Sequence, residues 1–256
     1  MAEQSSIRIR PYILAGGRSS RMGRDKAMLS LAGRTLLGRT VDTLRAVRML
    51  QDDAGDVVVT IVGERAELEG ADRVIVDRYP GCGPLGGMES ALRDLEQIEN
   101  AGNPKADWAF FLPVDMPFLP SGLIDALLRK WVAAVNEGAR VCYVVVDGTA
   151  QPLVSLLHRE VYSFVLAALT SARFKVTPVL QSACDDLASH RHVGIGCDKS
   201  ALTQTFFSKD GVASDVVEWT PTKAEEAAKP HWFSNLNREE DINAAETFLA
   251  GLGSNE

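Results

Sequence analysis

A short apolar segment, Tyr12-Ile13-Leu14, runs directly into a stretch from Leu14 to Lys26 that reads LAGGRSSRMGRDK. Its three glycines, Gly16, Gly17 and Gly23, open backbone conformations closed to other residues. Arg18, Arg21, Arg24 and Lys26 supply four cations, with Asp25 alone against them. Successive N–H groups in such a loop can turn inward around an anion. A strand that ends in a cationic turn poor in side chains therefore suits a triphosphate. Two better-known phosphate loops are excluded. Gly23 is followed by Arg24-Asp25-Lys26 rather than Lys-Ser/Thr, and Gly16-Gly17 lacks the G-x-G-x-x-G spacing. A glycine pair after a strand, taken alone, is equally compatible with a purely structural turn.

The rest of the chain repeats that strand–loop punctuation. Residues 1–8 read as a loose leader. Ile9 to Ala15 reads as the first strand, with Pro11 near its start. Thr35 to Leu50 places Leu36, Leu37, Val41, Leu44, Val47 and Leu50 at helical spacing. Asp56 to Val62, DVVVTIV, is a β-branched run expected of a strand buried on both faces. Arg73 to Val76 is a further strand ending at Asp77, and a second glycine loop follows from Tyr79 to Gly87. Met88 to Ile98 reads as a helix, Trp108 to Val114 as a strand ending at Asp115, and Gly122 to Val135 as a helix capped by Ser121. Arg140 to Val146 is a strand, Pro152 to Leu157 a short apolar run, and Glu160 to Leu169 a helix. Beyond Ser171 the signals thin. Ala224 to Ala228 fits a helical turn, and Trp232 to Leu236 fits a short strand. Glu239 to Leu249 fits a closing helix, with Asn237 as its cap and a glutamate at the third position. Strands alternating with helices predict an α/β fold, a Rossmann-like doubly wound sheet, mostly parallel, with helices on both faces. Its ligand crevice is expected outside the carboxyl ends of the strands, where Asp77, Asp115 and both glycine loops fall. No repeat or linker divides the chain, so residues 1–256 read as one domain.

Composition narrows the function classes. With 46% apolar residues in 256 the chain can bury a full core. A formal charge of −7 argues against a nucleic-acid partner, which demands a basic stripe. The four cysteines, Cys82, Cys142, Cys184 and Cys197, form no C-x-x-C pair, so reduced thiols are expected. No apolar run reaches the ~18 residues of a membrane span, and the N-terminus lacks the apolar core of a signal peptide. A cytoplasmic protein is expected. His190 and His192 could share one strand face but have no third ligand nearby, so they are read as non-metal.

Asp115 is the sharpest single candidate. It ends an almost wholly apolar strand, just before Met116-Pro117. Mg²⁺ commonly takes one or two carboxylates plus substrate phosphates, whereas the plainer reading is a turn cap before Pro117. Lys26 would place a point charge on the phosphates and on charge developing in the transition state, with Arg21 assisting. In Gly83-Pro84-Leu85-Gly86-Gly87, close backbone approach to a bound group would exclude side chains. There Gly87 at a helix start could turn its N–H toward an anion; a tight loop packed on the sheet is the alternative.

Taken together, the Leu14–Lys26 stretch, the G-P-L-x-G run at 83–87, the Pro113-Val-Asp115-Met-Pro117 segment and Asn235-Leu-Asn237 stand in the order found in the molybdenum cofactor guanylyltransferase (MobA) family, which the chain resembles. The resemblance spans Tyr12 to about Leu169 and returns at Phe233 to Phe248. It implies that Leu14, Ala15, Gly16, Gly17, Lys26, Asp77, Gly83, Gly87 and Asp115 bind the nucleotide, with Mg²⁺ on Asp115. Asn235 and Asn237 would contact nucleotide or acceptor. It also implies that GTP and molybdopterin give a guanine dinucleotide cofactor and pyrophosphate, with transient contacts to other molybdenum-pathway proteins. Gln151-Pro152-Leu153 with Ser155 and His158 resembles the segment near the acceptor, His158 itself being read as structural. Three departures stand out. Val114 replaces a frequent cysteine, Arg238-Glu239 replaces the usual Thr-Pro, and residues 199–229 exceed the usual connection. The sister cytidylyltransferases typically read LAAG, so Gly16 favours guanine. A catalytically silent nucleotide-binding regulator is the reading from a different class, and the presence of Lys26 and Asp115 speaks against it.

Overall fold

The computed structural model describes residues 7–16, 25–64, 68–100, 105–191, 202–207 and 219–253. In chain order the strands are β1 (Ile9–Leu14), β2 (Ser30–Leu31), β3 (Arg34–Thr35), β4 (Thr60–Val62), β5 (Arg73–Ile75), β6 (Trp108–Pro113), β7 (Val141–Val146), β8 (Thr149–His158) and β9 (Leu202–Phe207). The helices are α1 (Leu36–Arg45), α2 (Pro84–Asn100), α3 (Ser121–Asn136), α4 (Tyr162–Thr170), α5 (Val176–Arg191), α6 (Lys223–Ala227) and α7 (Glu239–Gly253). Seven strands form one sheet in the order β5-β4-β1-β6-β8-β7-β9, and β2-β3 is a separate hairpin. Among the described residues of the large sheet, only β8 runs antiparallel to its neighbours. This is the mostly parallel, doubly wound α/β sheet expected from the alternation of elements.

Period-two alternation sorts the strand residues between two cores. Ile13, Phe110, Leu112, Cys142 and Val144 face a cluster with Leu37, Val41 and Leu44 of α1, Leu123 and Leu127 of α3, and Ile242 of α7. Tyr12, Leu14, Ala109, Phe111 and Tyr143 face the opposite cluster with Met88 and Leu92 of α2, Val165 of α4 and Leu180 of α5. Covered on both sides, β6 buries every one of its residues, which is why its sequence reads as an unbroken apolar run.

Several boundaries differ from expectation, each for a local reason. The helix expected over 35–50 ends at Arg45, and a single 3-10 turn follows at Arg48–Leu50. There the Met49 N–H donates to Asp125 Oδ1 of α3 at 2.8 Å, a tertiary bond that draws the chain off the helix axis. Of the strand expected over 56–62, only Thr60–Val62 pairs. Val57 O instead accepts from the Arg45 guanidinium and the Val59 N–H donates to the Asp72 carboxylate, so side chains take over part of the ladder, while Val59 O still accepts from the Asp72 and Arg73 N–H groups. Ser121 does not cap α3. It is the first helical residue, after an N-cap Pro120 that makes no side-chain bond. Trp232 to Leu236 is not a strand; a 3-10 turn at Lys229–His231 leads into irregular chain.

The short apolar run at Pro152–Leu157 is part of a ten-residue strand, β8. Asp147 and Gly148, with φ of +47° and +75°, form a two-residue turn that joins it to β7. Positive φ at both central positions matches the right-handed twist of the flanking strands. The pairing jumps from Tyr143↔Ser155 to Val144↔Gln151, so Pro152, which has no N–H to donate, sits at the irregularity. Within the 199–229 stretch, residues 202–207 form the edge strand β9, parallel to β7. Thr222 opens α6 with a reciprocal capping box to Glu225.

Candidate active site

The carboxyl ends of β1, β4 and β6 converge on one cleft. Leu14, Ala15, Gly16, Lys26, Val62, Asp77, Gly83, Pro84, Gly87, Val114, Asp115 and Leu153 are among the residues that line it. Backbone bonds lock its floor. The Ala15 N–H donates to Val62 O, the Val114 N–H to Leu14 O, and the Gly63 N–H to Ile75 O. Gly63 has φ +141°, and a Cβ there would lie 3.4 Å from the Gly16 amide. The first glycine loop therefore leaves β1 pressed against the end of β4.

Lys26 reaches the cleft from a 3-10 turn, Lys26–Met28, whose N-cap is Asp25. The Asp25 carboxylate accepts from the Ala27 N–H at 3.1 Å and so caps the turn. Lys26 Nζ lies 2.7 Å from Asp115 Oδ2 and 2.6 Å from Asn237 Oδ1. The Lys26 and Asp115 side chains are 14% and 19% exposed. Asp115 is fixed through its main chain too, since its carbonyl accepts from the Leu236 N–H at 2.9 Å. Its second carboxylate oxygen, Oδ1, is buried and has no hydrogen-bond partner among the described residues. A buried, unpaired carboxylate oxygen is costly, so this atom is one that could take a positive ligand.

Asn237 does not cap α7. Its side chain turns to Lys26, and Asp241, in the first turn of α7, reaches back to the chain that enters the helix. The Asp241 carboxylate accepts from the Asn237 and Arg238 N–H groups at 2.7 and 2.8 Å. Asn235 is exposed and is not among the residues of the cleft. Gly17, Arg21 and His192 fall outside the described residues, as does the side chain of His190. His158 packs its ring on Trp108 and accepts from the Glu160 N–H, the structural role expected of it.

Asp77 stands on the far wall. Its Oδ1 accepts from the Tyr79 N–H at 2.9 Å. Burial raises its pKa above the ordinary carboxylate value, and that hydrogen bond offsets the rise only in part. The second glycine loop is tight for an internal reason. A Cβ on Gly86 would lie 2.7 Å from both Asp77 Oδ1 and Tyr79 O, and one on Gly87 would lie 3.1 Å from Leu14 Cδ2. The collisions that exclude side chains there are with the protein's own wall. Helix α2 begins at Pro84, earlier than the sequence suggested, so Gly86 and Gly87 lie in its first turn and its N-terminus opens on the cleft. A helix N-terminus favours anions.

Sequence reasoning gave no part in the site to Val62. Val62 lines the cleft as the last residue of β4, and the strand-end rule applied to Asp115 would have found it. Leu153, in the segment whose resemblance set it near the acceptor, lines the same cleft through the β8 irregularity.

Among known proteins, the MobA-like NTP transferase domain matches residues 12–191. A probable molybdenum cofactor guanylyltransferase of Halalkalibacterium halodurans is 33% identical over 170 residues, spanning 64% of this chain and 77% of that one. The molybdenum cofactor guanylyltransferase of Xanthomonas euvesicatoria pv. vesicatoria is 42% identical over 161 residues, 61% of this chain and 75% of that one. Among solved structures, molybdopterin-guanine dinucleotide biosynthesis protein A from Archaeoglobus fulgidus shares the fold. Its TM-score is 0.62 at 16% identity, over 94% of this chain and 99% of its own. The matched span takes in both glycine loops and the cleft residues Lys26, Asp77 and Asp115, and on that footing the chain belongs to the MobA-like NTP transferase family.

Proposed function

We propose that this protein transfers GMP from GTP to the terminal phosphate of molybdopterin, in its molybdenum-bound or metal-free form. The products are the guanine dinucleotide cofactor and pyrophosphate. The reaction is Mg²⁺-dependent, takes place in the cytoplasm and is carried by a single domain over residues 1–256. The carrying observation is the convergence of Lys26 and Asp115 at 2.7 Å, with Asp115 Oδ1 buried and unpartnered among the described residues. The family and the relatives named as guanylyltransferases support the same reading.

The chemistry asks little covalent help of the protein. An anionic oxygen of the acceptor phosphate attacks the α-phosphorus of GTP. A new P–O bond forms, the bond to the β-phosphate oxygen breaks, and pyrophosphate leaves with its electron pair. No general base is needed, because the nucleophile is already ionised. The barrier lies in bringing anions together, which positioning and fixed positive charge can lower.

Asp115 fits a hard cation. Its free oxygen is buried, and among the described residues no group of three acidic, histidine or cysteine side chains competes for a metal. A single carboxylate suits Mg²⁺, which completes its shell with phosphates and water. When bound there, the ion would neutralise phosphate charge as a Lewis acid. Lys26 would exchange its present bond to Asp115 for the nucleotide phosphates. Asn237, from the opposite side, limits where the ammonium can go. The N-terminus of α2 offers oriented N–H groups to the same anions.

Incubation with molybdopterin, Mg²⁺ and each nucleoside triphosphate in turn tests the reading. A guanine dinucleotide with release of pyrophosphate is the expected product. A cytosine dinucleotide would assign the chain to the cytidylyl branch, and GTP binding without pyrophosphate release would make it a nucleotide-binding regulator.

A further inference from the structure

Behind the wall that carries Asp77, helix α2 holds a fully buried carboxylate, Glu89. Acidic side chains are almost never fully buried unless paired. Here the cation is Arg78, whose Nη1 donates to Glu89 Oε1 at 3.1 Å although the Arg78 side chain is itself 45% exposed. The Tyr162 hydroxyl of α4 donates to the same oxygen at 3.3 Å. The next residue on α2, Ser90, accepts the Arg78 main-chain N–H at 3.1 Å. Two consecutive residues of a rigid helix thus grip one residue of the wall twice, by its guanidinium and by its amide.

Arg78 is the immediate neighbour of Asp77. The Asp77 carboxylate is in turn held by the Tyr79 N–H, one residue beyond the grip, and its Oδ1 fits only because Gly86 carries no side chain. Nothing in this arrangement demands a charge for stability. A buried ion pair often stabilises no better than a well-packed apolar replacement. What the pair does fix is the path of residues 77–79.

We infer that Glu89 and Ser90 are positioning residues that hold Arg78 from α2 and thereby set where Asp77 stands in the nucleotide cleft. Neither touches the nucleotide. The inference rests on the reading of that cleft as the GTP site.

The test is calorimetric titration of the full-length protein with GTP and Mg²⁺, with thermal melting of each apoprotein alongside. Four proteins are compared: wild type, Asp77→Asn, Glu89→Gln and the double variant. Glutamine keeps the length and the acceptor oxygen of Glu89 while removing its charge. Glu89→Gln is expected to weaken GTP binding about tenfold, within the coupling range of contacting residues. In the double variant it should add little to the loss already caused by Asp77→Asn, because it acts through that residue. Unchanged affinity in Glu89→Gln, or losses that simply multiply in the double variant, would overturn the inference. If Glu89→Gln does not fold, Ser90→Ala, which removes the acceptor of the Arg78 amide together with the hydroxyl's own bonds to Gly86 O and Glu89 Oε2, takes its place in the same cycle with the same two outcomes. A wild-type protein that binds no GTP would overturn the proposed function itself, and this inference with it.

Discussion

Lys26 and Asp115, 89 positions apart in sequence, meet at 2.7 Å across the carboxyl ends of β1 and β6. The sheet accounts for this closeness. Strands β1 and β6 pair in parallel over six residues, Ile9↔Trp108 to Leu14↔Pro113, so whatever follows each strand must emerge side by side.

Asp115→Ala is expected to lower Mg²⁺-dependent GMP transfer by roughly 10²–10³-fold, the loss typical of one preorganised charge contact. The fold should survive, because the Asp115 carbonyl still accepts from Leu236. Initial rates with GTP and molybdopterin, together with a circular dichroism melt, check both halves. Full activity would remove Asp115 from the metal site.

Lys26→Ala should lower kcat/KM for GTP by a similar factor, roughly 10²–10³. Lys26→Arg should recover little, since a planar guanidinium cannot make the same compact contacts with Asp115 and Asn237. Asn237→Ala leaves the charge in place but frees its direction, so its loss should be smaller, about tenfold. Steady-state rates for the three variants give the ranking, and an Asn237→Ala loss as large as that of Lys26→Ala would contradict it.

The residues that end strands were the legible part of this chain. Apolar runs stopping at Leu14, Asp77 and Asp115 announced both the sheet and its ligand edge, because backbone alternation and strand ends are local properties. Long-range hydrogen bonds were not legible. The turn after α1 is held at Met49 by Asp125, seventy-six residues on, and the interrupted pairing of residues 57–59 involves the side chains of Arg45 and Asp72. Asn237 shows the same limit within the site. Its position before α7 suggested a cap, whereas its side-chain oxygen goes to Lys26 and its main-chain N–H to Asp241, four residues on. The Glu89–Arg78 pair carried no signal at all, since a glutamate in a helix is ordinarily solvated.

Asp77 gives a prediction about pH. Burial raises its pKa in the folded protein above the unfolded value. The folded state therefore binds more protons between the two values, and stability falls as pH rises through that window. The penalty is absent below the ordinary carboxylate pKa of about 3.9 and complete above the raised one. Asp77→Asn removes the titration while keeping an oxygen for the Tyr79 N–H. Its apoprotein should therefore melt higher than wild type at pH 7, by an increment that shrinks to nothing near pH 3.5. An increment that does not change with pH would show that Asp77 carries no such penalty.

Far from the cleft, Asp94 of α2 ties the amino end of the sheet together. It accepts the Tyr12 hydroxyl at 2.9 Å and two Arg73 nitrogens at 2.7 and 3.0 Å, with its side chain only 4% exposed. Burial, then the charge of Asp94, push the Tyr12 phenol well above its usual pKa, so it stays a donor at every working pH. Asp94→Ala leaves a buried hydroxyl and a half-buried guanidinium without their acceptor. Breaking a buried pair costs about 3–5 kcal/mol, and the water access that Arg73 keeps places this one near 3. For a chain of this size that is a drop of about 6–12 °C in Tm. The variant's KM for GTP, measured well below its melting point, should match wild type, because none of these three side chains lines the cleft of Lys26, Asp77 and Asp115. A small Tm change, or a raised KM in a protein that melts normally, would show that the triad serves the site rather than the fold.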